Sequence, residues 1–173
     1  MSSTMKGMAL HFRSLIVASL GLAYSHAFAQ ADTPPSVKLT IDDKAVSAGK
    51  PFHASVTVTF ADGLHAYQNP PSADTFIPVV VKVNGKEFTL ATVKYPKGSP
   101  AKVAGEEKPV NIYTGTIKIP LSVKAPAKPG AFDLNVSVSY QQCNEGSCFP
   151  PSTVSASAKV KVSKPVLKKM GKS

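Results

Sequence analysis

The run Phe132-Asp-Leu-Asn-Val-Ser-Val-Ser-Tyr140 decides the fold. Phe132, Leu134, Val136, Val138 and Tyr140 are apolar, and every residue between them is polar. Successive side chains of a strand point to opposite faces, so period two marks a strand with one buried face. The same alternation recurs at Val37, Leu39 and Ile41, from Phe52 to Phe60, and from Val154 to Val162. Less regular strands are predicted over 77–83, 88–95 and 112–121. Asn84-Gly85 between the first two of these predicts a tight hairpin, because such a turn needs positive φ at both positions. Within 88–95 the apolar parity shifts between Leu90 and Val93, which predicts a bulge. Proline and glycine punctuate the connections at Pro70-Pro71, 96–100 and 126–130. No segment carries a helical period. Seven or eight short strands predict an all-β fold, an immunoglobulin-like antiparallel β-sandwich. It lacks the tryptophan and the widely spaced cysteines of an antibody domain.

Upstream of these strands, the first 29 residues read as a secretory signal. Lys6 and Arg13 supply a basic start, no acid precedes Asp32, and an apolar run over 15–24 leads to two overlapping small-x-small sites, Ala27-Phe28-Ala29 and Ala29-Gln30-Ala31, so the mature chain is expected to start near Gln30 or Asp32. That run is shorter than the roughly 20 residues a membrane helix needs. Cleavage after Ala29 of the 173 residues would leave 144, enough for one domain. A soluble, exported monomer is expected, with its domain over 37–163 and a Lys-rich tail over 164–173. No membrane span is expected in the mature chain. Without Lys6 and Arg13, 18 basic residues face 10 acids, a net charge of +8. Arg13 is the sole arginine. The remaining cations are scattered lysines, whereas arginine is the usual reader of guanine edges and phosphate. Nucleic acid is therefore not an expected partner.

Downstream, the deciding strand runs into Gln-Gln-Cys143-Asn-Glu-Gly-Ser-Cys148-Phe-Pro-Pro151, which holds both cysteines. In an exported chain they can form a disulfide. A ring this short yields roughly 2 kcal/mol by chain entropy, against roughly 4–5 kcal/mol for a ring of about 100 residues. Spacing alone leaves a structural staple and a redox pair level. Continuing the strand's parity puts Tyr140 inward and Cys143 outward. Gly146 is expected to give the loop its tight bend, and Pro150-Pro151 to stiffen its exit. Glu145 is the only charge between the cysteines, and a carboxylate raises a thiol pKa. There is no Cys-x-x-Cys and no helix start, so an activated thiol would have to come from a partner.

This cysteine run resembles that of the amino-terminal periplasmic domain of DsbD-type thiol:disulfide interchange proteins. Gly63-Leu-His65-Ala-Tyr67 and Ile112-Tyr113-Thr-Gly-Thr-Ile-Lys-Ile-Pro120 fit the same domain more weakly. The resemblance covers most of 37–163. It implies an immunoglobulin-like fold and electron transfer by disulfide exchange, of the kind that serves cytochrome c biogenesis. It implies Cys148 as the attacking cysteine and Cys143 as its resolving partner. It also implies thioredoxin-fold periplasmic partners or a membrane thiol reductase. Members of the family usually continue into membrane helices and a thioredoxin domain; this sequence does not, so a separate reductase is expected. Members also shield the cysteines with an aromatic cap loop. The matching stretch, 103–110, has no aromatic residue, which leaves Tyr67, Tyr113 and Phe149, with Glu145, as candidates for shielding or support. Glu106 and Glu107 within it are expected to be solvated.

His53 and His65 lie in separate elements and make a poor metal set, so no metal and no cofactor is expected. Neither a Ser/His/Asp signature nor a phosphate loop is present. The rival to thiol–disulfide exchange is a non-catalytic exported interaction module whose disulfide only shapes a loop.

Overall fold

The computed structural model describes residues 33–165. The stretch expected to be a secretory signal, 1–29, and most of the Lys-rich tail lie outside the described residues. No helix forms within them, and three four-stranded sheets do. One sheet runs in the order β1 (Ser36–Ile41), β3 (Pro51–Thr59), β9 (Thr116–Lys124), β6 (Thr89–Val93) and is antiparallel throughout. A second runs β2 (Val46–Ser47), β12 (Ser152–Ser163), β10 (Gly130–Tyr140), β5 (Val80–Asn84). Only β2 is parallel to its neighbour there. These two sheets share one core, as the alternating residues dictate. Leu134, Val136, Val138 and Tyr140 of β10 are buried with Phe52, Ala54, Val56 and Val58 of β3 and Ile119, Leu121 and Val123 of β9. Burying each such side chain contributes about 1.5–3 kcal/mol relative to leaving it in water. The result is an immunoglobulin-like β-sandwich.

The third sheet closes one end of the sandwich and carries the cysteines. Its order is β11 (Gln142–Cys143), β4 (His65–Tyr67), β8 (Val110–Thr114), β7 (Ser99–Ala101). Both large sheets feed it. Strand β8 continues through Gly115 into β9, and β10 continues through Gln141 into β11. Cross-strand register then divides its two faces. Ala66 lies opposite both Tyr113 and Gln142, and Ala66 and Tyr113 belong to the sandwich core. On the other face, Tyr67, Ile112, Val110 and Cys143 form a separate small cluster with Phe76, Ala101 and Val103.

The bulge lies where the parity shift puts it, between Leu90 and Thr92. Other expectations need correction. Asn84-Gly85 does not join a hairpin: β5 pairs with β10 and β6 with β9, so the connection crosses between layers. Only Gly85 takes positive φ, at 89°, so this is not the two-residue turn that a hairpin requires. The predicted strand over 112–121 is two strands in different sheets. Gly115, at φ 56°, redirects the chain between them. The strand expected from Ile77 begins at Val80, after Pro78 has made an isolated parallel bridge to Tyr67. Cys143 is not outward but buried, 1% exposed. The parity carried along β10 persists, with Gln142 on the core face and Cys143 on the other, but that other face is covered by the small cluster of Tyr67, Val110 and Ile112 rather than by solvent.

A candidate disulfide-exchange site at the end of the sandwich

Cys143 and Cys148 are joined by a disulfide, with their Cα atoms 3.9 Å apart. The two residues also form an isolated antiparallel bridge, so the ring between them is a minute hairpin. Its turn is built by Asn144. The Asn144 side-chain oxygen accepts from the backbone N–H of Gly146 at 2.9 Å and of Ser147 at 2.8 Å. The Asn144 N–H donates to the Ser147 carbonyl at 2.9 Å, and the Phe149 N–H donates to that of Gln142 at 2.8 Å. Asparagine side chains favour such turns because they bond to the backbone two residues on. Gly146 is not the cause of the bend: its φ is not positive, and a Cβ there would meet nothing closer than 3.8 Å.

The two sulfurs are unequally placed. Cys143 is held on β11, whereas Cys148 is exposed on the returning arm. A cleft of about 160 Å³ opens on the pair and is lined by both cysteines, His65, Tyr67, Val103, Ala104 and the turn residues. The Tyr67 hydroxyl lies 3.9 Å from Cys148 Sγ. Its ring stacks on Phe76, with centroids 4.2 Å apart and planes 15° apart. Burial, and then the Glu106 carboxylate, hold the Tyr67 hydroxyl above its ordinary pKa, so it stays protonated and able to donate. Glu106 is half-buried and so is not the fully solvated group expected, while Glu107 is exposed.

The other candidates take different places. Tyr113 is on the core face of β8; its hydroxyl donates to the Pro96 carbonyl at 2.7 Å and accepts from the Asn69 N–H at 3.2 Å. Phe149 is half-buried and contributes its backbone to the hairpin. Glu145 is exposed and lines a neighbouring cleft of about 640 Å³, which it shares with Asp62, His65 and Lys102. His53 is exposed near the start of β3 and faces Asp43 at 3.3 Å. Among the described residues no cluster of three or more His, Cys, Asp or Glu is arranged to hold a metal.

Phe76 escaped sequence reasoning, because it comes from an irregular segment with no period to place it. His65 was named in the stretch 63–67 and weighed only as a metal ligand; its pairing opposite Cys143 is set by a register 78 positions away.

Residues 36–159 match the family described as thiol:disulfide interchange protein DsbD, N-terminal. The chain belongs to this family. The match spans the strands that build the sandwich, up to the last four residues of β12, and the whole cysteine hairpin. Among solved structures, the reduced DsbD n-terminal domain of Neisseria meningitidis is 18% identical, over 73% of this chain and 84% of that one, with a TM-score of 0.48. The N-terminal periplasmic domain of ScsB from Proteus mirabilis is 15% identical over 73% of this chain, with a TM-score of 0.48. This chain covers 44% of that one. The bacterial hydrophobin BslA is 16% identical, over 76% of this chain and 96% of that one, with a TM-score of 0.37. No curated protein matches the chain.

Proposed function

We propose that the protein is a periplasmic thiol–disulfide exchange module, exported by its signal segment, that cycles the Cys143–Cys148 disulfide with thioredoxin-fold partners. The observation that carries this reading is the asymmetry of the bridge: one sulfur exposed at a surface cleft, the other buried behind it. Exchange requires a thiolate to reach one sulfur while the other departs. Cys148 is the sulfur that a partner thiolate attacks, and Cys143 is the one that leaves. In the opposite direction Cys148 attacks the partner's disulfide, and Cys143 then resolves the mixed disulfide. Tyr67 donates its hydroxyl proton toward charge forming on Cys148, since hydrogen bonds to a charged form favour it. Electrons enter from a membrane reductase or a thioredoxin-fold donor.

The reduction potential tests this reading. Protein lacking residues 1–29 is equilibrated in glutathione buffers, and its free thiols are counted by alkylation. A value above about −270 mV is expected, in the range of exchange proteins. One below about −300 mV would mark a structural bridge and leave an interaction module as the better description. Trapping tests the roles: Cys143→Ala should accumulate a mixed disulfide through Cys148, and preferential trapping by Cys148→Ala would reverse the assignment.

A further inference from the structure

Resting on the exchange reading, the geometry points to His65 as the proton acceptor that activates Cys143. The two residues are directly opposed across the β4–β11 pair, and directly opposed side chains of antiparallel strands share a face about 5 Å apart at Cβ. Both line the cleft that opens on the disulfide. His65 is 8% exposed, and its Nε2 is buried with no hydrogen-bond partner among the described residues. A buried polar atom left unpaired costs about 1–3 kcal/mol, so this one calls for an explanation. None of its immediate neighbours supplies a proton in the oxidised state: Thr114 lies opposite it on β8, and Tyr67 meets it edge-on at 6.2 Å between ring centroids.

Reduction changes what shares that strand face with His65. Cys143 becomes a thiol inside the protein, and burial raises a thiol's pKa. The nucleophile is the thiolate, so a buried resolving cysteine needs a base. With its own proton on Nδ1, neutral His65 offers the Nε2 lone pair. In the mixed disulfide between Cys148 and a partner, the Cys143 S–H proton passes to Nε2. The Cys143 sulfur forms the bond to Cys148 Sγ, and the bond from Cys148 to the partner breaks. Its electron pair leaves on the partner's sulfur, which is protonated by the imidazolium or by water. The module's dithiol has become a disulfide and the partner's disulfide a dithiol. In reverse, the imidazolium protonates Cys143 as it departs.

Burial also lowers the pKa of His65 below its ordinary 6.5, so the neutral base prevails at pH 7. Charged groups face it from three sides of the larger cleft: Asp62 from the segment before β4, Lys102 from beyond β7, and Glu145 from the hairpin. β8 contributes no charge to that cleft, where its residues are Ile112 and Thr114.

A two-step reaction with 5,5′-dithiobis(2-nitrobenzoate) isolates the role without any partner protein. The reduced protein should release one thionitrobenzoate as Cys148 is modified and a second as Cys143 displaces the first adduct. His65→Gln is expected to leave the first release within about twofold and to slow the second about 100-fold at pH 7, the lower end of what a positioned base contributes. In the wild type the second rate should be flat above about pH 6.5. In the variant it should rise about tenfold per pH unit, as a thiol without a base requires. Equal second rates with the same pH profile would overturn the assignment. Absence of the first release in the wild type would instead sink the exchange reading itself. A second measurement needs no variant: the 15N resonance of His65 Nε2 should move when wild-type protein is reduced, because the nitrogen gains the Cys143 proton as a partner. An unmoved resonance would equally overturn the assignment.

Discussion

The sandwich core and the end sheet are built from the same strands yet obey different rules. Between the two large sheets, buried residues are almost all apolar and come from strands of up to 12 residues. The end sheet uses strands of 2–5 residues, and its outer face has an apolar cluster of only four buried side chains, one of them a half-cystine. It also holds two of the three buried polar residues of the described chain, His65 and Gln142. Gln142 is tied by its amide nitrogen to the Thr33 carbonyl at 2.9 Å, and His65 keeps an unpaired nitrogen. Apolar burial is thus concentrated in one region and the proposed chemistry in the other. A site on short elements can tolerate an unsatisfied group because the long strands beside it supply the folding energy.

Mutations can set the two regions against each other. The largest effect is expected in the sandwich: Leu134→Ala, at a fully buried position, should cost about 2–5 kcal/mol in chemical denaturation, with the disulfide still reducible. Breaking the ring should cost less. Cys143→Ala with Cys148→Ala should lose about 2 kcal/mol by chain entropy and leave the far-ultraviolet spectrum of the sandwich in place. A collapse of the whole fold would mean that the end sheet supports the core rather than the reverse. The smallest pair sharpens the reading of the hairpin. Asn144→Ala removes the acceptor of two backbone N–H groups and should cost about 1 kcal/mol, whereas Gly146→Ala should stay within about 0.5 kcal/mol. The reverse order in thermal melts would return the bend to the glycine.

The sandwich was legible in the sequence because its strands are long enough to show their period. The runs 132–140, 154–162 and 52–60 each carry at least four alternations, and each is a strand. The end sheet was not. Two or three residues, as in β11 and β4, cannot display a period, and their partners lie far away in sequence. Gly115 hid a change of sheet inside what looks like one continuous strand. Asn84-Gly85 has the right residues for a hairpin, but the choice between pairing and crossing belongs to the neighbours of β5 and β6. The cysteine loop was found by its motif, whereas the burial of Cys143 depended on a register that no local pattern encodes.

The hairpin between the cysteines is fastened twice, once by sulfur and once by backbone and asparagine hydrogen bonds. Drawing the sulfur bolt leaves the other fastening in place. If the bridge exchanges as proposed, the frame that a partner docks against is common to the oxidised and reduced forms, and little reorganisation separates accepting electrons from giving them away. In that role the hairpin works like a relay contact: it closes in either direction without being rebuilt between strokes.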